Sequence, residues 1–265
     1  MSGAKTNGFE ELSARIRDLC DRSERNYCPC FTAFLTPEEQ VYAAREAETF
    51  GGVFMLSFGG FGGSERNVFG FFPEEIFLRP SEGSAEKEYH GYFPISFVLV
   101  SGSGYREFSH RDVLGSLISL GIKREMIGDI YLIDPYNAYV AVIESVADFI
   151  CRDLEYVSRD KVKTRIADKG EVPEKEQKFE DISLTVSSMR LDAVVASLLC
   201  LARDKAKKLI DEGRVSINHE AVFAYDRDVR EGDVLSVKGY GRFKTDALLG
   251  QTSKGRHRVV VRKYI

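Results

Sequence analysis

The residues best equipped for chemistry lie between Arg190 and Asn218. Arg203 and Lys207 are four apart and therefore neighbours on a helix surface, with Lys208 one step around from Lys207. Arg190 falls in the first turn of a preceding helical stretch. Cations gathered on a two-helix surface suit the closely spaced phosphates of an RNA backbone. The competing reading is ordinary solvated helix charge, which fits Lys205.

Two helices have to position those cations. The first begins at Ser188-Met189-Arg190-Leu191-Asp192 and carries Leu191, Val194, Val195, Leu198 and Leu199 at apolar positions. After a break at Leu201-Ala202 the second runs from Arg203 to Glu212, with Ala206, Leu209 and Ile210 on its inner face. Gly213 supplies a left-handed C-terminal cap. An extended segment, Val215 to Asn218, follows, and Glu231-Gly232-Asp233 is a turn feeding a strand that ends at Val237. The chain closes on an alternating basic and apolar strand, Arg256 to Lys263.

Charge is divided to match. The whole chain has a net charge of −4, but residues 181–265 hold 16 Lys and Arg against 11 Asp and Glu, a balance of +5. Residues 1–180 hold 21 against 30, a balance of −9. Such asymmetry points to a nucleic-acid-facing C-terminal domain.

Upstream, Pro94 to Ser101 reads as a buried strand, Ser109 or His110 opens a helix closed by Gly121, and Met126 to Ile133 is a second strand. Asp134 to Asn137 turns the chain into a third strand, Ala138 to Ile143. A helix from Glu144 to Leu154 and a strand from Lys161 to Ile166 complete a β-α-β-β-α-β order. That is the ferredoxin-like topology shared with RNA-recognition domains. Its stacking aromatics are missing, since Phe97 and Tyr139 are better read as packing residues. Here His110-Arg111 and Lys123-Arg124 flank one helix as further RNA candidates, or form local ion pairs with Asp112 and Glu125.

The first 85 residues read as a helix (Phe9 to Ser23), a strand (Phe31 to Leu35), a helix capped by Thr36-Pro37-Glu38-Glu39, and a hairpin. Its strands, Val53 to Phe58 and Asn67 to Phe72, flank Gly59-Gly60-Phe61-Gly62-Gly63. A phosphate loop would need a helix directly after the glycines, and Ser64-Glu65-Arg66 leads into a strand instead, so a hairpin turn is expected. Residues 80–90 read as a mobile polar connection, and Asp168 to Glu180 as a charged joint before the basic module.

No apolar run is long enough to span a bilayer and no secretory signal stands at the N-terminus, so a cytoplasmic protein without membrane attachment is expected. Five cysteines do not make a disulfide framework, and Cys28-Pro29-Cys30 lacks a second ligand pair, so no metal is expected. Enzyme readings each lack a feature. The only Arg-Leu-Asp triplet, which a pseudouridine synthase needs elsewhere for its catalytic Asp, is Arg190-Leu191-Asp192 inside the basic module. Val100-Ser-Gly-Ser-Gly104 sits in a unit too compact for a methyltransferase sheet. No catalytic residue, cofactor or small-molecule substrate is assigned, and a monomer is the default.

Arg190-Leu191-Asp192, Arg203, Ala206, Leu209-Ile210, Gly213, Val215, Asn218 and Glu231-Gly232-Asp233 together resemble the αL RNA-binding domain named after small-subunit ribosomal protein S-four. In one place the chain departs: Ala202 stands where that family has a helix-capping Ser. Phe108 to Ile130 and Gly239-Tyr-Gly-Arg-Phe243 further resemble the bacterial YlmH family, which extends the likeness over roughly residues 90–265. The resemblance implies binding to the large ribosomal subunit (rRNA) and tRNA, in the rescue of obstructed subunits that carry peptidyl-tRNA. It also implies a label of cell-division association, and an adaptor role stays open, as does an RNA-modifying enzyme that uses the module as a handle. Carried over by position, the RNA-facing residues are Arg190, Arg203, Lys207, Lys208, Arg214, Ser216 and Asn218, with Asp192 orienting the arginines. Chemistry alone adds Arg242, Lys244 and Arg256. The expected architecture is α+β and multidomain: an N-terminal α/β segment at 1–85, a ferredoxin-like domain at 90–168 and an αL RNA-binding domain at 181–265.

Overall fold

A computed structural model describes residues 3–80, 84–172, 179–218, 220–252 and 255–264. The chain forms two compact units, Met1–Lys175 and Glu176–Ile265. Part of the charged joint expected at 168–180, residues 173–178, lies outside the described residues.

The first unit opens with α1 (Gly3–Asn26), β1 (Cys30–Phe31), α2 (Pro37–Ala47), β2 (Val53–Phe58) and β3 (Val68–Pro73). Thr36 closes a complete capping box with Glu39, and Pro37 occupies the first turn of α2, as its residue types dictate. Strand β3 is central in a three-stranded antiparallel sheet of order β1-β3-β2. All six residues of β3 are buried, which fits its apolar run Val-Phe-Gly-Phe-Phe-Pro. The strand expected over Phe31–Leu35 is shorter: only Cys30 and Phe31 pair as a strand, and Leu35 adds an isolated bridge to Asn67. The glycine cluster is the turn between the antiparallel strands β2 and β3. Of the connection expected at 80–90, residues 81–83 lie outside the described residues, while Ser84–Tyr92 coil as a 3₁₀ segment and Tyr89 Oη donates to the Leu78 carbonyl at 2.5 Å.

The ferredoxin-like order then follows: β4 (Ile95–Ser101), α3 (His110–Ser119), β5 (Ile127–Asp134), β6 (Asn137–Ile143), α4 (Ala147–Asp153) and, after the short pair β7 (Tyr156–Val157) and β8 (Asp160–Lys161), β9 (Lys163–Ala167). The helix expected from Glu144 begins as a 3₁₀ turn over Glu144–Val146. The sheet is antiparallel in the order β5-β6-β4-β9. Alternation along β4 and β6 sends Val98, Val100, Ala138, Val140 and Val142 to the face covered by α3 and α4. Ser109 and Asp112 cap α3 reciprocally.

The other face of that sheet is also covered. Phe97, Tyr139, Ala141 and Ala167 share a core with Phe34, Phe54, Phe61, Val68 and Phe72 from the N-terminal segment. In consequence Phe97 is 3% exposed and Tyr139 7%. Gly128 shows how closely the layers meet, since a Cβ there would stand 2.5 Å from the Phe34 ring. The Asp129 carboxylate ties the same edge, accepting the Glu65 N–H at 2.7 Å and the Arg66 N–H at 3.3 Å.

The second unit is one antiparallel sheet of order β10-β15-β14-β13-β11-β12 with two helices upon it. Its elements are β10 (Phe179–Val186), α5 (Leu191–Leu198), α6 (Arg203–Asp211), β11 (Val215–Ile217), β12 (Glu220–Ala221), β13 (Val234–Val237), β14 (Gly241–Gln251) and β15 (His257–Tyr264). Strand β10 pairs along all of β15, from Phe179↔Tyr264 to Val186↔His257. Only its first two residues, Phe179 and Glu180, fall within the charged joint expected at 168–180, and the strand as such is absent from the sequence reading. Among the described residues no helix is long and apolar enough to cross a membrane, and no group of three or more His, Cys, Asp and Glu is placed to hold a metal ion.

Candidate nucleic-acid interface

Helix α5 is buried almost all round, and the terminal turn that follows it aims α6. Leu201 N–H donates to the Ala196 carbonyl at 2.8 Å and Cys200 N–H to Ser197 at 3.3 Å, the paired bonds of a Schellman ending. The left-handed position is taken by Cys200, with φ of 52°, where glycine is the ordinary occupant. Helix α6 ends in the same way: Arg214 N–H reaches the Leu209 carbonyl at 3.0 Å, and Gly213, φ 65°, is the left-handed residue. Ala202 stands at the N-cap of α6 and gives no side-chain cap. Ala206, Leu209 and Ile210 are buried beneath α6, which leaves its cations outward.

Asp192 is the hub of the site. Its side chain is 2% exposed, and its Oδ1 lies 3.4 Å from Arg190 Nε and 3.6 Å from Arg203 Nη2. The two guanidinium groups remain about half exposed, at 41% and 50%. Charge buried at the carboxylate therefore fixes two arginines whose remaining N–H groups face solvent, and a guanidinium fork matches phosphate oxygens. The Asp192 backbone N–H donates to the Tyr225 carbonyl at 3.0 Å, which fixes Tyr225 beside this centre. Arg190 lies over the Tyr225 ring with its guanidinium carbon 6.0 Å from the centroid, and Lys207 Nζ lies 5.2 Å from it. Arg190, Arg203 and Lys207 thus surround a buried carboxylate and an aromatic ring that is 43% exposed. Cations beside an open ring hold a phosphate and stack a base.

The other expected contacts are placed differently. Lys208 faces Glu212 at 4.0 Å, and Arg214 meets the same carboxylate at 3.7 Å while its Nη2 donates to the Lys238 carbonyl at 2.9 Å. Ser216 is half-buried on β11 between Ala221 and Ser236. Asn218 adopts φ of 49° and is occupied by the turn it makes: its Nδ2 donates to Asp233 at 2.8 Å and its Oδ1 accepts the Val234 N–H at 2.8 Å. Arg242 lies on β14 with its guanidinium carbon 4.8 Å from the Tyr264 ring centroid, Lys244 is in register with Val234 and Arg262, and Arg256 is exposed in the turn before β15. These three belong to the strands and their turn rather than to the helix pair. In the first unit His110 and Arg111 are exposed at the start of α3, whereas Arg124 donates to the Ile127 carbonyl, and burial lowers its pKa.

Tyr225 was not among the RNA-facing residues named from the sequence, nor was Phe223 (62% exposed), and Tyr240 (43% exposed) entered only as part of the stretch Gly239 to Phe243. A usable signal was present in Val222-Phe223-Ala224-Tyr225-Asp226, where two aromatics two residues apart lead into the charged run Asp226-Arg227-Asp228.

Family models match two stretches of the chain: the "Putative RNA-binding domain in YlmH" over residues 93–170 and the S4 domain over residues 189–235. A curated relative, the "Ribosome-associated protein quality control protein P2" of Bacillus subtilis (strain 168), is 32% identical over 239 residues, covering 89% of this chain and 88% of its own length. Among solved structures, the "Cell division protein ylmH from Streptococcus pneumoniae" aligns with a TM-score of 0.49 at 21% identity, over 61% of this chain and 92% of that one.

Proposed function

The chain belongs to the YlmH family, with its RNA-binding domain followed by an S4 domain, and from that premise we propose that it grips RNA on the large ribosomal subunit together with tRNA. It acts there in the rescue of obstructed subunits that carry peptidyl-tRNA, by binding rather than by catalysis. The observation that carries this reading is the centre at Asp192, where Arg190, Arg203 and Lys207 are held around Tyr225. Such a centre supplies phosphate contacts and a stacking ring with no bond-making group among them. The name of the Bacillus subtilis relative, a ribosome-associated quality control protein, agrees with it.

Co-sedimentation with separated ribosomal subunits and with tRNA, across a salt series, tests the proposal. Wild-type protein is expected to pellet with the large subunit and to come off as salt rises, because neutralised phosphates release counterions. Arg203→Ala/Lys207→Ala is expected to lose that binding. Wild-type-like sedimentation by the double variant would remove the helix surface from the account, and sedimentation with the small subunit alone would remove the large subunit.

A further inference from the structure

The stretch Val222-Phe223-Ala224-Tyr225 carries a second ring that the centre at Asp192 does not use. Its backbone is tied on both sides: the Val222 N–H donates to the Val215 carbonyl at 3.1 Å, and the Arg227 carbonyl accepts the Leu191 N–H at 2.8 Å. Both rings lean on α6. Tyr225 lies beside Lys207, and the Phe223 ring sits over Gly213, where a Cβ would stand 3.2 Å from its Cε1 and 3.4 Å from its Cζ. Gly213 therefore serves twice: its φ of 65° ends the helix, and its bare backbone seats the ring. One side of that ring is held while 62% of the residue stays open. A lone exposed phenylalanine needs no explanation, but this one stands two residues from a ring flanked by Arg190 and Lys207.

Charge is not what this end of α6 offers. Lys208 and Arg214 share the Glu212 carboxylate, at 4.0 Å and 3.7 Å, which leaves less of their charge for a phosphate. We propose that Phe223 and Tyr225 form a paired stacking platform, and that the RNA element they select presents two consecutive unpaired nucleotides. The proposal rests on the RNA reading above and specifies the kind of RNA it applies to. Two residues of chain span at most about 7 Å, so the rings are rooted close enough to meet the bases of neighbouring nucleotides. A paired base shows only its edge in a groove, whereas a base in a loop, bulge or strand end can turn its face to a ring. Arg190, Arg203 and Lys207 take the phosphates, and the rings take the bases. Because the stretch is hydrogen-bonded in place, little ordering is lost on binding. Stacking accepts any base, so the platform selects for the absence of pairing and not for sequence.

Fluorescence anisotropy of the full chain with two labelled RNAs tests this: a blunt, fully paired duplex, and the same duplex carrying a two-nucleotide bulge. Wild type is expected to bind the bulged RNA about 25-fold more tightly or better, the product of two stacks worth about fivefold each. Phe223→Ala is expected to lose about fivefold or more on the bulged RNA and nothing on the blunt one. Its salt slope should match the wild type, because no phosphate contact is removed. Phe223→Tyr keeps the ring face and should keep the affinity. Arg203→Ala/Lys207→Ala is expected to behave differently, weakening both RNAs and flattening the salt slope. Wild-type thermal melting shows that each variant is folded. Should Phe223→Ala melt early, Phe223→Leu takes its place, since it keeps apolar bulk without a π-face. Equal wild-type affinity for the two RNAs, or wild-type affinity of a folded Phe223→Ala or Phe223→Leu for the bulged RNA, would overturn the platform and leave the phosphate centre standing. Failure of the wild type to bind either RNA would remove the RNA reading and the platform with it.

Discussion

Asp192 Oδ1 and Arg203 Nη2 stand 3.6 Å apart, with the acid buried and the arginine half in solvent. The acid belongs to α5 and the arginine to the first turn of α6, so the pair joins the two helices. A negative charge at an RNA site opposes binding by simple attraction, yet here it fixes two cations. Asp192→Asn is therefore expected to weaken RNA binding several-fold in a filter assay, although it raises the net charge by one. Stability should fall by about 1–3 kcal/mol, less than the cost of breaking a fully buried pair because both arginines are partly hydrated. Tighter RNA binding by the variant would dismiss the orienting role.

Tyr225 offers its ring rather than its hydroxyl to Arg190 and Lys207. Tyr225→Phe is expected to bind RNA as the wild type does. Tyr225→Ala should lose about 1–3 kcal/mol of binding, the worth of one stacked base. Equal losses in both variants would show that the hydroxyl carries the contact.

Cys200 occupies a left-handed position where its Cβ is unfavourable. Cys200→Gly is expected to raise the stability of the second unit by about 0.5–1 kcal/mol in denaturant titrations, strain relief exceeding the entropy gained by the unfolded chain. Lower stability would mean that the thiol packs usefully despite its exposure.

Gly128 and Phe34 form a close contact between layers of the first unit. Gly128→Ala should destabilise that unit by about 1–3 kcal/mol through overpacking. Phe34→Leu should cost stability alone but less in combination with Gly128→Ala, giving a positive coupling in a double-mutant cycle. Strict additivity would place the strain elsewhere.

Burial pushes the Cys20 thiol from 9.0 up to about 12. The fold favours its neutral form, so this contribution is whole below pH 9 and is lost as pH rises towards 12. Relative to Cys20→Ala, the wild type is expected to lose about 2 kcal/mol of stability between pH 8 and pH 10.5, measured by urea unfolding. Parallel pH profiles would show that the thiol ionises freely in the native state.

Periodicity made the ferredoxin-like unit and the helix pair legible, because each places its apolar residues on one repeating face. Strand β10 was hidden by its exposed polar positions, and its partners on β15 lie 71 to 85 residues away, from Val186↔His257 to Phe179↔Tyr264, a pairing no local pattern reveals. The cations Arg190, Arg203 and Lys207 were legible from helical spacing. Tyr225 was not, because a backbone hydrogen bond to Asp192 sets its place and side-chain type carries no mark of that. Asn218 matched a familiar position, but its amide holds Asp233 and Val234, a use visible only with the turn in view.

The aromatic layer shared by the N-terminal segment and the ferredoxin-like sheet also determines where the chain can be cut. Removing residues 1–85 would strip Phe34, Phe54, Phe61 and Phe72 from a sheet face that carries Phe97 and Tyr139. The fragment left behind would present a broad oily plate to water, and such plates stick to one another. The first unit is thus expected to be expressed and purified whole, since neither half keeps its own cover.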